Sequence, residues 1–361
     1  MAPIKSTKEA PTSAPADMAP RFGIAEWYGQ SFADIDESTR KALASFSPEK
    51  GNRLKKTERE RILELESLEA AGQPLTAAQS NRLSILRAKK KVELATNKRC
   101  PFRGQDKDAI CTKEGGVCSL RLYENAPSGI KPVRGERGAI RALCPVRFHE
   151  ADEIVKWVGD TILGTDSPTI AREVGFLESG ETVDGSEGED VGRLDMILVD
   201  GELPEDHPMH WCALEIQAVY FSGKEMPKDF VAIAADPGNG LIWPTEVRRP
   251  DYRSSGPKRL MPQLQIKVPT LRRWGKKMAV VVDRAFFDSM GSMDRIDEPS
   301  NADIAWFIAD FEYVPAKKSF RIKRGEIVFT TLEEAVDGLT GGKPVSKDEF
   351  ETRIRARLRS G

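Results

Sequence analysis

Two isolated carboxylates in neighbouring apolar segments are the first residues in this sequence that could carry out chemistry. Asp195 lies in Gly-Arg-Leu-Asp-Met-Ile-Leu-Val and Glu215 lies in Ala-Leu-Glu-Ile-Gln, and both segments are typical of strands. Side chains alternate between the faces of a strand, so Glu215 and Gln217 are expected to project together, and hairpin pairing can bring Asp195 beside Glu215. Two close carboxylates repel each other unless a cation or a proton lies between them. The pair predicts a site for a hard cation such as Mg²⁺, which keeps waters that can attack a phosphodiester.

Four of the five cysteines form a second candidate site. Cys100, Cys111, Cys118 and Cys144 follow the spacing C-x10-C-x6-C-x25-C, and the segments between them are rich in turn residues. Four thiolates around one ion make the closed tetrahedral site that zinc or iron prefers. The alternative is four unrelated buried thiols, which is the interpretation that suits the fifth cysteine, Cys212, in its apolar strand.

Positive charge is concentrated after the second carboxylate, although the chain of 361 residues is nearly neutral, with 55 basic and 56 acidic residues. This balance excludes a uniformly basic nucleic-acid coat, so a polyanion must be met by a local patch. Residues 248–277 hold ten basic residues and one acid, whereas residues 176–206 hold eleven acids and one arginine. The basic segment either neutralises DNA phosphates or is a solvated charged helix. Its candidate DNA contacts are Arg248, Arg249, Arg253, Lys258, Arg259 and Lys267.

The remaining pattern alternates strands and helices, which favours an α/β or α+β fold around a mixed sheet. A helical hairpin over residues 48–98 carries Lys89, Lys90 and Lys91, and it either touches DNA or a partner subunit or is simply a solvated hairpin. Ser167-Pro168 is typical of a helix start and predicts a short helix through Glu173. The other expected elements are a helix over 150–163, strands over 193–200, 211–220, 278–283, 304–314 and 320–329, a helix around 264–274 bent by Pro269, and a helix from Lys347.

Taken together, these features resemble the NotI family of Type II restriction endonucleases, an E-x-Q variant of the PD-(D/E)xK nuclease superfamily. The superfamily pattern usually has lysine where this chain has Gln217, and the resemblance implies glutamine there. The likeness covers most of the chain from Phe22 onward and departs from the family in the Pro-rich tail and the helical hairpin. The residues that carry it are Ile24-Ala-Glu-Trp-Tyr-Gly, Cys100-Pro-Phe, Cys111, Gly116-Val-Cys118, Cys144-Pro with Arg147, Leu214-Glu-Ile-Gln217, Phe221-Ser-Gly, and Lys258-Arg259 with Gln263 and Lys267.

The resemblance implies a PD-(D/E)xK core of the α/β (α+β) class, with a mixed central sheet flanked by helices and a four-cysteine metal-binding module. Asp195 and Glu215 would bind catalytic Mg²⁺, and Gln217 would position the attacking water or the scissile phosphate. The four cysteines would hold structural iron or zinc, and either Glu173 or Glu178 would add an outer ligand. The enzyme would be a homodimer that cuts both strands of a palindromic double-stranded DNA site, for which a GC-rich sequence is suggested by the resemblance alone.

The expected organisation has five parts: a disordered tail (1–20), an N-terminal anchoring segment (21–47), the helical hairpin insertion (48–98), the four-cysteine DNA-recognition module (99–149) and the nuclease core (150–361). The longest apolar run, around Met278–Val282, is too short to cross a bilayer, so we expect a cytoplasmic bacterial protein without a membrane partner. Two other functions remain open. One is a nuclease of the same core directed by DNA structure or modification, and the other is a non-catalytic DNA-binding protein.

Overall fold

The computed structural model describes residues 19–44, 53–104, 109–178, 190–201, 207–224, 226–236, 241–341 and 345–358. Nearly all of the predicted tail lies outside these residues, as do residues 179–189 of the acid-rich stretch. The protein is a mixed α+β structure with several sheets, which confirms the predicted class.

The strands are β1 (Arg21–Trp27), β2 (Gln30–Ser31), β3 (Val117–Ala126), β4 (Gly129–Pro132), β5 (Arg141–Ala142), β6 (Thr169–Glu178), β7 (Asp190–Val199), β8 (Trp211–Ile216), β9 (Phe221–Gly223), β10 (Arg248–Pro250), β11 (Met278–Asp283), β12 (Ile304–Val314) and β13 (Ser319–Thr330). The helices are α1 (Glu37–Ala44), α2 (Lys56–Ala70), α3 (Ala77–Thr96), α4 (Glu153–Val158), α5 (Pro227–Ala235), α6 (Tyr252–Ser255), α7 (Met261–Arg273), α8 (Arg284–Phe287), α9 (Leu332–Thr340) and α10 (Lys347–Leu358). A π-helical turn, Gly256–Leu260, leads into α7.

The larger sheet has six strands in the order β13-β12-β11-β8-β7-β6. Its central strands β8, β11 and β12 are parallel, and β7, β6 and β13 add to them in antiparallel fashion. Every side chain of β11, Met-Ala-Val-Val-Val-Asp, is buried because both faces of the sheet are covered. Helix α4 covers one face, and α7 and α9 cover the other. The mixed sheet flanked by helices is therefore as predicted.

One predicted element is wrong. The segment after Ser167-Pro168 is the edge strand β6, not a short helix, because it pairs along its length with β7. The capping signal is local, whereas the ladder to β7 satisfies the backbone groups of the whole segment. Glu173 has a φ of 55° within this strand, a left-handed conformation that is uncommon for a residue with a side chain.

A second sheet joins the N-terminal segment to the cysteine-rich region. Strand β1 lies between β2 and β3, and β3 also pairs with β4 and β5. The buried Arg147 links the two sheets, since its Nε donates to both oxygens of Glu26 at 2.9 Å and its Nη2 donates to the carbonyl of Phe320 at 3.0 Å. Ala142 N also donates to the buried Asp283 at 2.9 Å. The cysteine-rich region is thus anchored on the larger sheet.

Helices α2 and α3 form the predicted hairpin, with a small core of their own around Leu65, Leu83 and Leu86. The Thr76 hydroxyl and the Gln79 side chain form a reciprocal capping box at the start of α3. Within the described ranges, no helix has both the length and the apolar character needed to span a membrane.

Candidate active site

Glu215 lies at the centre of the larger sheet and faces helix α7. Its strand β8 pairs with β7 on one side and with β11 on the other, so the backbone of Glu215 is fixed opposite Val280. The neighbouring Leu214 points into the core on the opposite face. The alternation predicted from the sequence therefore holds at this point, and it leaves a buried carboxylate, 3% exposed, beneath a helix.

A lysine from helix α7 bridges the two predicted carboxylates. Lys267 Nζ lies 2.7 Å from Glu215 Oε2 and 3.6 Å from Asp195 Oδ1. Lys267 is buried, as are Leu264 and Val268 on the same side of the helix. An ammonium held between two carboxylates offsets their mutual repulsion. The structure thus brings Asp195 and Glu215 together, as the sequence predicted, and adds a cation that was predicted to contact DNA.

Gln263, one helical turn before Lys267, contacts the same carboxylate. With its amide nitrogen oriented by this contact, the side chain donates to Glu215 Oε1 at 2.6 Å and to Oε2 at 3.1 Å. Glu215 therefore accepts hydrogen bonds from two residues of α7. These bonds hold its oxygens in one orientation, as an ion-binding carboxylate requires.

Burial and the neighbouring charges act on the pKa of Glu215 in opposite directions. Burial has the largest effect and raises the pKa of Glu215, the Lys267 ammonium lowers it, and the nearby Asp195 raises it, so that the resulting pKa is about 7. Asp195 differs in exposure, with 52% of its side chain accessible. One carboxylate is therefore buried and the other faces solvent, so an ion or a phosphate can reach the pair from the side of Asp195.

Gln217, the third predicted catalytic residue, lies just beyond the end of β8. Its backbone N–H donates to the carbonyl of Val281 at 3.0 Å, and its side-chain Nε2 donates to the carbonyl of Ala218 at 2.6 Å. The side chain is 8% exposed. Its amide is therefore engaged by the local backbone, in contrast to Lys267 and Gln263, which touch Glu215 directly.

Comparison with known families matches residues 84–322 to the model of restriction endonuclease NotI. This stretch is more than half of the chain, and it contains Asp195, Glu215, Lys267 and all four clustered cysteines. The chain belongs to the NotI restriction endonuclease family. A search of curated proteins finds no match. Membership makes the protein a nuclease that acts on double-stranded DNA, and it confirms the resemblance read from the sequence.

The four cysteines of this NotI family member come together in pairs. Cys100 and Cys111 flank an isolated bridge between Arg99 and Ile110, and Cys144 N donates to the carbonyl of Cys118 at 3.2 Å. Burial, with smaller contributions from the nearby Cys100 and Cys144, raises the pKa of Cys111 to about 11, so these three thiols lie within electrostatic range. Among the described residues, no group of three or more His, Cys, Asp or Glu side chains is arranged to hold a metal ion.

The basic segment divides into buried and exposed residues. Arg248 is buried, forms a short ion pair with Asp229, and donates to the carbonyl of Lys224 at 2.8 Å. Arg259 lies over the ring of Tyr220, with its guanidinium carbon 3.6 Å from the ring centroid. Of the six candidate DNA contacts, Arg249, Arg253, Lys258 and Arg259 have exposed side chains. These four are therefore accessible to DNA, whereas Arg248 and Lys267 are engaged within the protein.

A cleft of about 530 Å³ lies between the hairpin, the cysteine-rich region and β6, and Arg59, Arg103, Arg172 and His149 line it. Burial, together with the smaller effects of the Arg172 and Arg103 charges, lowers the pKa of His149 to about 4. The neutral imidazole is therefore the form that the fold accommodates.

This shift predicts a loss of stability in acid. A histidine with a lowered folded-state pKa contributes stability above its unfolded value of about 6.5, and loses it as the pH falls towards the folded value. The free energy of unfolding is expected to fall by about 2 kcal/mol more in the wild type than in His149→Gln between about pH 7.5 and about pH 5. Urea unfolding at both pH values measures this difference. His210→Gln, at a histidine that is 46% exposed and does not line the cleft, serves as the control.

Proposed function

We propose that this protein is a Type II restriction endonuclease that hydrolyses phosphodiester bonds in both strands of a palindromic double-stranded DNA site with Mg²⁺. The observation that carries the proposal is the pair of Asp195 and Glu215, which the buried Lys267 joins. All three residues lie within the stretch that matches the NotI family. A purely structural ion pair does not need a second carboxylate that is half exposed. An open carboxylate beside a buried one is suited to bind an ion that also meets a substrate phosphate.

Asp195 and Glu215 are the proposed ligands of Mg²⁺, since it takes one or two protein carboxylates and completes its shell with water and phosphate oxygens. When bound, Mg²⁺ polarises the phosphate and lowers the pKa of a coordinated water. Gln263 and Lys267 orient Glu215 through the hydrogen bonds described above. The Lys267 ammonium also offsets negative charge that develops on the scissile phosphate. Gln217 remains a proposed contact for the attacking water or for the phosphate.

Glu173 is the better candidate for the outer ligand. The pairing of Arg172 with Met196 and of Val174 with Leu194 leaves Glu173 across from Asp195, whereas Glu178 pairs with Asp190 at the far end of β6. Opposite residues of an antiparallel ladder lie about 5 Å apart. We propose that Glu173 acts through a bound water, because its side chain is exposed and its place in the ladder is opposite Asp195.

DNA binding is proposed for the exposed residues Arg249, Arg253, Lys258 and Arg259, and the buried Arg248 supports β10, the strand of Arg249, through Asp229. Positive side chains on one surface neutralise phosphates and release counterions. A homodimer follows from the substrate, since each active site cuts one strand and a palindrome presents the same half-site twice. The same proposal includes the five-part division of the chain expected from the sequence. It also includes a location in the bacterial cytoplasm.

Structural iron or zinc at Cys100, Cys111, Cys118 and Cys144 is also proposed. The support is the chemistry of four thiols that form two backbone pairs, Cys100 with Cys111 and Cys118 with Cys144, with Cys144 within electrostatic range of the other three. Such a metal would cross-link two short segments that have little core of their own.

Cys118→Ser is expected to remove the bound metal and to open residues 99–149 to protease. Metal analysis of the purified protein and limited proteolysis measure the two effects. Cys212→Ser serves as the control, because that thiol is buried in β8 within the core and away from the other four. A Cys118→Ser protein that keeps its metal and resists protease would contradict the proposed site.

The proposed function is tested by incubating the protein with Mg²⁺ and plasmid DNA of known sequence, and then sequencing the ends. Discrete fragments that share one palindrome would establish the proposal and give the recognition site. DNA that is bound but not cut, on unmodified and modified plasmids alike, would overturn it in favour of a non-catalytic DNA-binding protein. Cleavage of modified or structured DNA alone would identify the other nuclease alternative.

A further inference from the structure

Tyr220 and Arg259 form a stacked pair of exposed side chains. The guanidinium carbon of Arg259 lies 3.6 Å from the centroid of the Tyr220 ring, and its Nη1 donates a hydrogen bond to the Tyr220 hydroxyl. Tyr220 is 41% exposed, and Arg259 is exposed as well. Among the residues that the structure describes, Arg259 forms no ion pair with an acid. An arginine held by an aromatic ring rather than by a carboxylate keeps its positive charge for a substrate.

The chain places this pair next to the residues that contact Glu215. Lys267, Gln263 and Arg259 are four residues apart, so they follow one side of the helix at intervals of about 6 Å. Lys267 is buried, Gln263 is half-buried and Arg259 is exposed. Tyr220 lies four residues beyond the end of β8, the strand of Glu215. Arg259 therefore begins one helical turn from Gln263, on the side where the proposed active site opens to solvent.

Two backbone contacts fix the position of Tyr220. Its N–H donates to the hydroxyl of Ser255 at 2.8 Å, and its carbonyl accepts from the N–H of Asp251 at 2.6 Å. Ser255 is fully buried, and its hydroxyl donates to the carbonyl of Asp251 at 2.9 Å. The backbone of Tyr220 is therefore held on α6 before any DNA binds.

Arg259 lies within the π-helical turn Gly256–Leu260. Such a turn is closed by i→i+5 hydrogen bonds, holds one more residue than an α-helical turn, and is frequent at functional sites. One extra residue rotates a helix by about 100°. The turn therefore sets the rotation of α6, which holds Tyr220, relative to α7, which carries the residues that contact Glu215.

We propose that Arg259 binds a non-bridging oxygen of the phosphate that is cut, and that Tyr220 is the positioning residue that holds the guanidinium in place. This inference rests on the proposed function, and it assigns Arg259 a role in the rate of cleavage besides its contact with DNA. The Tyr220 ring covers one face of the guanidinium. The N–H groups along its other edge are left for a phosphate, which accepts such bonds in pairs.

The reaction explains why this contact affects the rate. Hydrolysis joins the oxygen of a water to phosphorus and breaks the bond from phosphorus to one sugar oxygen, which receives a proton from the water. Negative charge increases on the non-bridging oxygens during this step. A guanidinium that is already oriented towards them stabilises the transition state more than it stabilises bound DNA.

Cleavage and binding by the full chain are measured separately to test the role of Arg259. Arg259→Gln is expected to lower the single-turnover rate constant at saturating protein by about a hundredfold. DNA affinity, measured with Ca²⁺ in place of Mg²⁺, should fall by no more than about fivefold. Arg353→Gln, at an exposed arginine of α10, is the matched control and should cut at the wild-type rate. A fall in affinity with an unchanged rate constant is typical of an ordinary phosphate contact, and it would overturn the inference.

The role of Tyr220 is tested in two backgrounds. Tyr220→Leu should lower the rate constant by about tenfold in the wild type but by less than about twofold in Arg259→Gln, because Tyr220 acts through Arg259. A merely structural role would slow both proteins equally. Equal effects, or no effect in the wild type, would overturn its assignment. Tyr220→Phe keeps the stacked ring and should lose only about threefold, through the missing hydrogen bond.

Tyr313→Phe is the matched control for the tyrosine. Tyr313 is 39% exposed, and its hydroxyl donates to Asp34 at 2.9 Å. Its replacement removes a hydroxyl of similar exposure outside the proposed site, so the cleavage rate should not change.

This inference and the proposed function fail in different ways. A wild type that cuts DNA, together with an Arg259→Gln protein of the same rate constant, would contradict only the role of Arg259. A wild type that binds DNA but leaves it intact would contradict the proposed function, and the role of Arg259 with it.

Discussion

Glu215→Gln is expected to lower the rate of DNA cleavage by at least about a thousandfold while DNA binding changes little. The substitution keeps the size of the side chain in its buried position under α7, so the sheet and the helix should remain packed. It removes one of only two carboxylates proposed to bind Mg²⁺. The missing negative charge also leaves Lys267 paired with Asp195 alone. Cleavage rates on plasmid DNA and gel shifts with Ca²⁺ in place of Mg²⁺ measure the two effects separately.

The matched control for this experiment is Glu312→Gln. Glu312 lies on β12 and forms an exposed ion pair with Arg321 at 2.5 Å. Its replacement should leave both cleavage and binding unchanged. If Glu215→Gln cut DNA at the rate of the control, Glu215 would not be a metal ligand, and the proposed active site would have to lie elsewhere in the chain.

Lys267→Met is expected to reduce cleavage by about a hundredfold to a thousandfold, again with DNA binding largely retained. Methionine fills most of the buried volume but removes the ammonium that lies between Glu215 and Asp195. The gel shift should stay near wild type, because Lys267 is buried and does not belong to the exposed basic surface. This outcome separates a catalytic ammonium from the DNA contact predicted from the sequence.

A structural role for Lys267 would look different. Thermal unfolding with and without Mg²⁺ shows whether the fold tolerates the change, and Lys267→Arg tests whether charge alone suffices at this position. Lys276→Met is the control, since Lys276 lies outside the site, where its Nζ donates to the carbonyl of Met209 at 2.9 Å. Wild-type cleavage by a folded Lys267→Met protein would exclude the ammonium from the reaction.

The two carboxylates and the strands that hold them could be predicted because the signals are local. Asp195 and Glu215 stand alone in apolar segments of period two, and the structure places both segments side by side in one sheet. The strands β11, β12 and β13 are also long apolar or alternating runs that local pattern determines. By contrast, β6 was predicted as a helix, because its strand conformation depends on pairing with β7.

The position of Lys267 could not be predicted from composition, because it depends on how α7 packs on the sheet. In the linear sequence, Lys267 belongs to a basic segment. On the helix, however, it lies on the apolar side of α7 with Leu264 and Leu271, where a solvated lysine would not be expected. The sequence does contain a signal that would have identified Lys267 as part of the site. It is a lysine on the apolar face of a helix, and that helix follows two strands that each carry a lone acid. The spacing of the four cysteines likewise does not predict the distances between their sulfur atoms.

The strand order of the larger sheet has a consequence for how the enzyme is made. Asp195, Glu215 and Lys267 all precede β11 in the chain, and β8 acquires its second neighbour only when β11 is synthesised. Until then, Glu215 lies on an open sheet edge. Because such long-range pairings form late, a nascent chain that already contains every proposed catalytic residue still lacks the strand that encloses Glu215. The sheet around the proposed active site is therefore complete only in a chain that extends at least through Asp283.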